Sequence, residues 1–176
     1  MEYTTRYESP VGVLTMASDG EALTGLWLEG QKYFELGIEE HEEKDDLSIF
    51  DEARSWLDIY FEGKDPGKIP ATNPRGTEFR KLVWKELERI PYGQLTTYGE
   101  LKKRVELQTG GRSSARAVGG AVGHNPISIL VPCHRVVGSN GSLTGYAGGI
   151  DRKIALLELE GVDVDKLKVP TRGTAL

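Results

Sequence analysis

The chain has 176 residues, 38% of them hydrophobic, and a net charge of −5, enough for one ordinary domain or two small ones with a real core. No apolar run is long enough to cross a bilayer, and the start Met1-Glu2-Tyr3-Thr4-Thr5-Arg6 lacks the basic-then-apolar order of a secretory leader, so a cytoplasmic, monomeric protein is expected. The single cysteine excludes an internal disulfide, and with only His41, His124 and His134 it matches no zinc spacing, so neither metal nor cofactor is expected.

Residues 3–30 alternate apolar and polar side chains between turn signals at Ser9-Pro10 and Ser18-Asp19-Gly20-Glu21. They predict an antiparallel meander over Tyr3–Tyr7, Val11–Ala17 and Leu23–Leu28. The acidic stretch Glu39–Asp46 has no apolar periodicity and is expected to be an exposed loop. Phe50, Ala53, Trp56, Leu57, Tyr60 and Phe61 recur at three and four, predicting an amphipathic helix stopped by Gly63. The segments Asp65-Pro66-Gly67-Lys68-Ile69-Pro70 and Asn73-Pro74 form the natural linker. Charge changes sign close to it: residues 1–77 carry 7 Lys/Arg against 17 Asp/Glu, and residues 78–176 carry 15 against 10.

Thr77 is the expected cap of a helix whose stripe Phe79, Leu82, Val83, Leu87 and Ile90 ends at Pro91-Tyr92-Gly93. Thr97-Tyr98-Gly99-Glu100 has capping-box spacing, so a short helix is predicted from Tyr98 to about Arg104. After Gly110-Gly111, Ser113 or Ser114 caps a second helix, Ala115–Val122, closed by Gly123 and Pro126. Two short helices about a glycine-containing turn match a helix-turn-helix. Lys102, Lys103, Arg104, Arg112 and Arg116 face only Glu106 there, which suits an anionic partner or merely a solvated face. Gly119 and Gly120 together cost roughly 2 kcal/mol of helix propensity against alanine, and Ala115, Ala117 and Ala121 add no bulk. Such a helix is built for close approach, either to a neighbouring helix or to a groove of DNA, where Arg116 could reach past the backbone into the stack.

Ile127–Val131 is predicted to be an apolar strand, kept extended at Val131 by Pro132. It leads to Cys133, an inert small hydrophobe unless its proton is removed, beside His134. Neighbours on extended backbone point to opposite sides, which favours a relay through water over a direct bond between them. Asp151–Glu160 is helical by pattern, with Ile150, Ile154 and Leu157 on one face and Gly161 as the stop. Glu160 falls between Leu156 and Leu157, partly toward the core, and its charge in the last turn opposes the helix dipole. Glu160 is therefore either a carboxylate with a polar partner or a fraying surface glutamate, whereas Glu158 is ordinary surface. Between these elements, Val136–Leu143 with Asn140-Gly141 predicts a strand and tight turn. The following Thr144-Gly145-Tyr146-Ala147-Gly148-Gly149 is either an ordinary connection or a loop whose exposed N–H groups line a pocket for a flat substrate.

The elements add up to an α/β (α+β) chain: a small antiparallel sheet-plus-helix domain over 1–74, then a mainly helical domain over 75–176 with the helix-turn-helix. Pro91-Tyr92-Gly93-Gln94, Thr97–Leu101, Ala115–Ala121, Asn125-Pro126, Pro132–Val137, Gly145–Gly149 and Lys153…Leu156-Leu157…Glu160-Gly161, in this order across 77–161, resemble the O6-alkylguanine-DNA alkyltransferases. The resemblance implies irreversible transfer of an alkyl group from O6-alkylguanine, and also from O4-alkylthymine, flipped out of duplex DNA. Carried over by position, Cys133 is the acceptor, and His134 acts through water with Glu160 behind it. Asn125 ties the helix-turn-helix to the cysteine segment, and Tyr98 assists proton transfer to the departing guanine. Arg116 fills the gap left by the flipped nucleotide, with Ala115, Ala117 and Gly119 against the DNA. The backbone at Cys133, Val136, Ala147 and Gly148, with the Tyr146 ring, holds the base.

The chain departs from the family at Ser128, where proline is common, which implies a different tolerance for adducts. It also departs in a seemingly longer turn over 106–113, and in lacking the N-terminal zinc ligands of some members. Two rival classes are a lesion-binding relative, which typically has tryptophan where Cys133 stands, and a turning-over thiol hydrolase, which needs no basic helix.

Overall fold

In the computed structural model, which describes residues 1–32, 40–143 and 146–167, the chain forms two compact units. One is Met1–Arg75 with Pro126–Leu130, the other Gly76–Asn125 with Val131–Leu176. The first is built on antiparallel strands β1 (Glu2–Ser9), β2 (Gly12–Ser18) and β3 (Leu23–Leu28). Asp19 holds the β2–β3 turn, its carboxylate accepting from the N–H groups of Glu21 and Ala22 at 2.9 Å each. The acidic stretch is not simply a loop: His41–Glu43 forms β4, parallel to β1, and the sheet order is β3-β2-β1-β4. All three β4 side chains are exposed, so backbone pairing alone holds the strand and no buried face writes alternation into its sequence. Helix α1 (Ser48–Phe61) places Ile49, Phe50, Ala53, Trp56, Leu57 and Tyr60 against β1 and β2.

Strand β3 ends the sheet yet is buried throughout. Its outer edge is covered, since Leu23 N–H donates to Ala71 (2.9 Å) and Asn73 N–H to Leu23 (2.7 Å). Further along, Leu26 N–H donates to Pro126 (2.8 Å) and Ser128 N–H to Leu26 (2.9 Å). These last two bonds correct the expected strand over Ile127–Val131. Only Ile127 pairs, and the chain then turns through Ile129 at φ 73°. A β-branched residue in the left-handed region costs on the order of 1–2 kcal/mol, offset here by burial of Ile127, Ile129 and Leu130.

In the second unit α2 (Glu78–Glu88), capped by the Thr77 hydroxyl, packs with α3 (Tyr98–Thr109) and α4 (Ala115–Gly123). Helix α3 continues past Arg104. Val105 is its last buried anchor, Leu107 points to solvent and breaks the expected periodicity, and Gly110 at φ 71° ends it. The turn between the two helices is therefore the short 110–114, not 106–113. Ser114, rather than Ser113, caps α4, accepting from Ala117 N–H at 2.9 Å. Trp84 of α2 donates its indole N–H to the Ala121 carbonyl at 2.8 Å and pins the far end of α4. A two-residue ladder joins β5 (Thr96–Thr97) in parallel to β6 (Val136–Val137). Helix α5 (Ile150–Leu159) contributes Leu157 to a core with Val137 and Leu143, against which Leu95, Ile154 and Val162 pack.

Because α4 has nine residues and two interior glycines, its cap should matter. Ser114→Ala is expected to lower the urea unfolding free energy by about 1 kcal/mol, and Ser113→Ala by much less.

Candidate active site and nucleic-acid interface

Pro132 leads into a single 3-10 turn, Cys133–Arg135, closed by Val136 N–H donating to the Cys133 carbonyl. The backbone at Cys133 is thus helical rather than extended. At three residues per turn Cys133 and His134 still diverge, by about 120° instead of 180°. Cys133 is 6% exposed and His134 fully buried. Asn125, directly after α4, donates to the Val131 carbonyl at 2.8 Å, and its side chain also bonds the Cys133 thiol. Burial pushes the thiol pKa up, while the Asn125 bond and the charge of Lys153 pull it down.

Glu160 caps the C-terminal end of α5 and turns inward at 7% exposure. The polar partners its position demands are His134 Nε2, which donates to Oε2 at 2.5 Å, and Arg135 Nε, which donates to Oε1 at 2.7 Å. Gly93 N–H donates to the same Oε1 at 2.9 Å. Gly93 has φ 76°, and a Cβ there would stand 3.1 Å from the Glu160 carbonyl, so both backbone conformation and space call for glycine. Burial alone would raise the Glu160 pKa, but His134 and Arg135 bring it down to about 2. Burial lowers the proton affinity of His134 against the pull of Glu160. The histidine is a neutral imidazole whose Nε2–H is committed to Glu160, which makes Nδ1 the basic nitrogen. Arg135 also donates to the Ile90 carbonyl at 2.7 Å and lies 5.8 Å over the Tyr92 ring.

Val136 and Tyr146 lie beside this turn. Val136, in β6, is buried, and its carbonyl accepts from Lys153 Nζ at 2.6 Å. The β5–β6 ladder sets Thr97, the cap of α3, beside Val137, so Tyr98 opens α3 next to the Cys133 segment. Tyr146 is buried with its ring 6.3 Å from that of His134, and Ala147 and Gly148 are half-buried. Thr144 and Gly145 lie outside the described residues. Ser128 belongs to the N-terminal unit, where its hydroxyl donates to Gln31 Oε1 at 3.3 Å.

On α4, Ala115, Arg116 and Ala117 are exposed and Val118, Ala121 and Val122 are buried. A Cβ at Gly119, Gly120 or Gly123 would meet nothing within 4 Å. Packing among the described residues therefore does not demand these glycines, which removes the neighbouring-helix account of them. What they provide is a shallow outer face beside Arg116. Among the described residues, no three His, Cys, Asp or Glu side chains come together as a metal site, and no helix is long and apolar enough to span a membrane.

This geometry coincides with two family models. Residues 78–162 match the 6-O-methylguanine DNA methyltransferase DNA-binding domain, and residues 2–66 match the ribonuclease-like domain of the same enzymes. The methylated-DNA–protein-cysteine methyltransferase of Haemophilus influenzae is 42% identical over 93% of this chain and 89% of its own length. The chain belongs to the O6-methylguanine-DNA methyltransferase family. The Mycobacterium bovis member is 46% identical over 87% of this chain and 88% of its own. Mycobacterium tuberculosis OGT, solved in complex with DNA, superposes with a TM-score of 0.76 at 42% identity, covering 94% of both chains.

Three members of the site have no role that the sequence alone assigns: Gly93, Arg135 and Lys153. Lys153 does leave a signal, because it shares the stripe of Leu156, Leu157 and Glu160 on α5, where a charge must be buried. Gly93 and Arg135 act through one backbone N–H and one long side chain, and neither writes a periodicity.

A carboxylate whose folded pKa lies below its unfolded value stabilises the fold above the unfolded value, about 4.3, and loses that contribution as pH falls through about 2. Glu160→Gln should cost on the order of 3 kcal/mol at pH 7, read by chemical denaturation. The gap from wild type should close between roughly pH 4.5 and 2.

Proposed function

We propose that the protein repairs DNA by irreversible transfer of the alkyl group of O6-alkylguanine, and also of O4-alkylthymine, from duplex DNA to the Cys133 sulfur. The observation that carries this reading is the buried Glu160–His134 pair standing behind the lone thiol, one turn beyond the Asn125 tether of a helix-turn-helix. The thiol proton passes through water to Nδ1 of His134, and the imidazolium formed is stabilised by the Glu160 carboxylate it already faces. The sulfur–carbon bond forms as the carbon–O6 bond breaks, the bonding pair staying on the guanine. The guanine then takes a proton from the Tyr98 hydroxyl. Backbone at Cys133, Val136, Ala147 and Gly148, with the Tyr146 ring, holds the base.

Access to the base needs flipping, which costs a few kcal/mol of stacking. Arg116 fills the vacated space, and the flat face of Ala115, Ala117 and Gly119 lets the helix backbone approach the groove. The place of action is the cytoplasm, where an unpaired thiol persists.

With no second cysteine to restore the thiol, product should be capped at one equivalent of protein, with one methyl mass added to the peptide containing Cys133. Continued turnover would point to a hydrolase instead, and binding of the modified duplex without transfer would point to a lesion binder. Arg116→Ala should slow repair of O6-methylguanine in duplex DNA at least tenfold more than transfer from the free modified base, which needs no flipping. Equal effects in the two single-turnover assays would make Arg116 structural.

A further inference from the structure

Trp84 of α2 is 3% exposed, and its large side chain is fixed twice over. The indole N–H donates to the Ala121 carbonyl at 2.8 Å. The ring also lies against Gly76, where a Cβ would come within 2.5 Å of Cη2 and 2.9 Å of Cζ3, so no side chain fits there while the ring keeps its place. An aromatic ring cannot give way as the end of a flexible chain can. Glycine and ring therefore hold each other, and the ring holds the carbonyl.

That carbonyl sits in the last turn of α4, where a helix runs out of partners of its own. Around it, Gly120 accepts from the backbone N–H of His124 at 3.0 Å and from its Nδ1–H at 2.7 Å, and Val122 accepts from Asn125 N–H at 3.3 Å. Ala121 has Trp84. His124 closes the helix at φ −95° rather than through the left-handed turn that Gly110, at φ 71°, gives α3. With nine residues, glycine at 119, 120 and 123 and no left-handed cap, α4 is too short and too flexible to hold its own end.

We propose that Trp84 is a positioning residue for base flipping: clamped by Gly76, it fixes the rotation and register of α4, so that Arg116 enters the duplex at one angle. This rests on the role proposed for Arg116. The inner face of α4 is Val118, Ala121 and Val122, and short apolar side chains resist separation without setting an angle about the helix axis. A hydrogen bond to a carbonyl is directional, so it opposes both turning and sliding. Arg116 lies about 7.5 Å from Ala121 along the axis, on the exposed side, and its length multiplies any rotation at the guanidinium. Pushing a side chain into a base stack loads the helix from that end. The pin lets the load reach the DNA instead of being lost in movement of the helix.

Two variants test this. Trp84→Phe removes the N–H and keeps a ring, and Gly76→Ala keeps the N–H but drives the ring from its place. Either should slow single-turnover transfer from O6-methylguanine in duplex DNA about tenfold, and transfer from the free modified base by under about twofold. In an Arg116→Ala background, Trp84→Phe should slow duplex repair no further, because the side chain it positions is gone. Equal slowing on the two substrates, as a loosened Asn125 or a generally weakened fold would give, overturns the proposal. So does an undiminished effect in the Arg116→Ala background, or no effect on duplex repair. Without DNA, amide hydrogen exchange in Trp84→Phe should rise at His124 and Asn125 and stay as in wild type at Val105 of α3. A rise shared by Val105, or none at the end of α4, also overturns it. Arg116→Ala alone tests the flipping role and exchange needs no substrate, so failure of the proposed function and failure of the pin are read separately.

Discussion

The Cys133–Arg135 turn, the 91–94 turn and the end of α5 converge on one carboxylate. Glu160 accepts hydrogen bonds from His134, Arg135 and the backbone of Gly93, and so joins the end of α5 to the acceptor turn and to the 91–94 turn after α2. A buried carboxylate is tolerated only when its acceptor sites are filled by donors of favourable charge, and here one cation and one backbone dipole satisfy Oε1 while the imidazole satisfies Oε2. The division follows from geometry. Burial, and after it the charge of Arg135, lower the proton affinity of His134, so it can remain neutral and basic beside an anion that would otherwise hold it protonated. Losing any one donor would change the electrostatics of the other two. The site is therefore coupled to the fold at a buried point rather than displayed on a loop.

Around that point the sequence was legible wherever burial repeats. The meander, α1, α2 and α5 all announced themselves through apolar spacing, and Glu160 was conspicuous because it broke that spacing at a helix end where its charge was unfavourable. Reading failed where backbone bonds or single contacts decide the outcome. Strand β4 pairs through its main chain with all three side chains in solvent. The Ile127–Val131 run is as apolar as any strand, yet it is buried by turning through Ile129 at a positive φ. Apolarity reports burial, not conformation, and nothing in four hydrophobic letters about one serine separates a buried strand from a buried turn.

Helix α4 shows the converse, a composition explained by what is absent around it. Internal packing normally accounts for glycine in a helix, by letting a neighbour come close. Here no described residue occupies the space over Gly119, Gly120 and Gly123, while the opposite face is fixed by Val118, Ala121 and Val122 and by the Trp84 bond to the last full turn. The helix is firm on one side and bare on the other. A rigid mount with a shallow outer face suits a surface that must approach a stiff, charged duplex without reshaping itself.

The burial of Cys133 has a further meaning for a protein whose thiol is used once. Peroxide and small electrophiles attack thiolates in proportion to their exposure and ionisation, and each such hit would remove a molecule from service as surely as a lesion does. A cysteine that is 6% exposed, and whose burial disfavours the thiolate, is guarded against both. The fold therefore trades reactivity at rest for shelf life, keeping the acceptor chemically quiet during the long intervals between damaged bases.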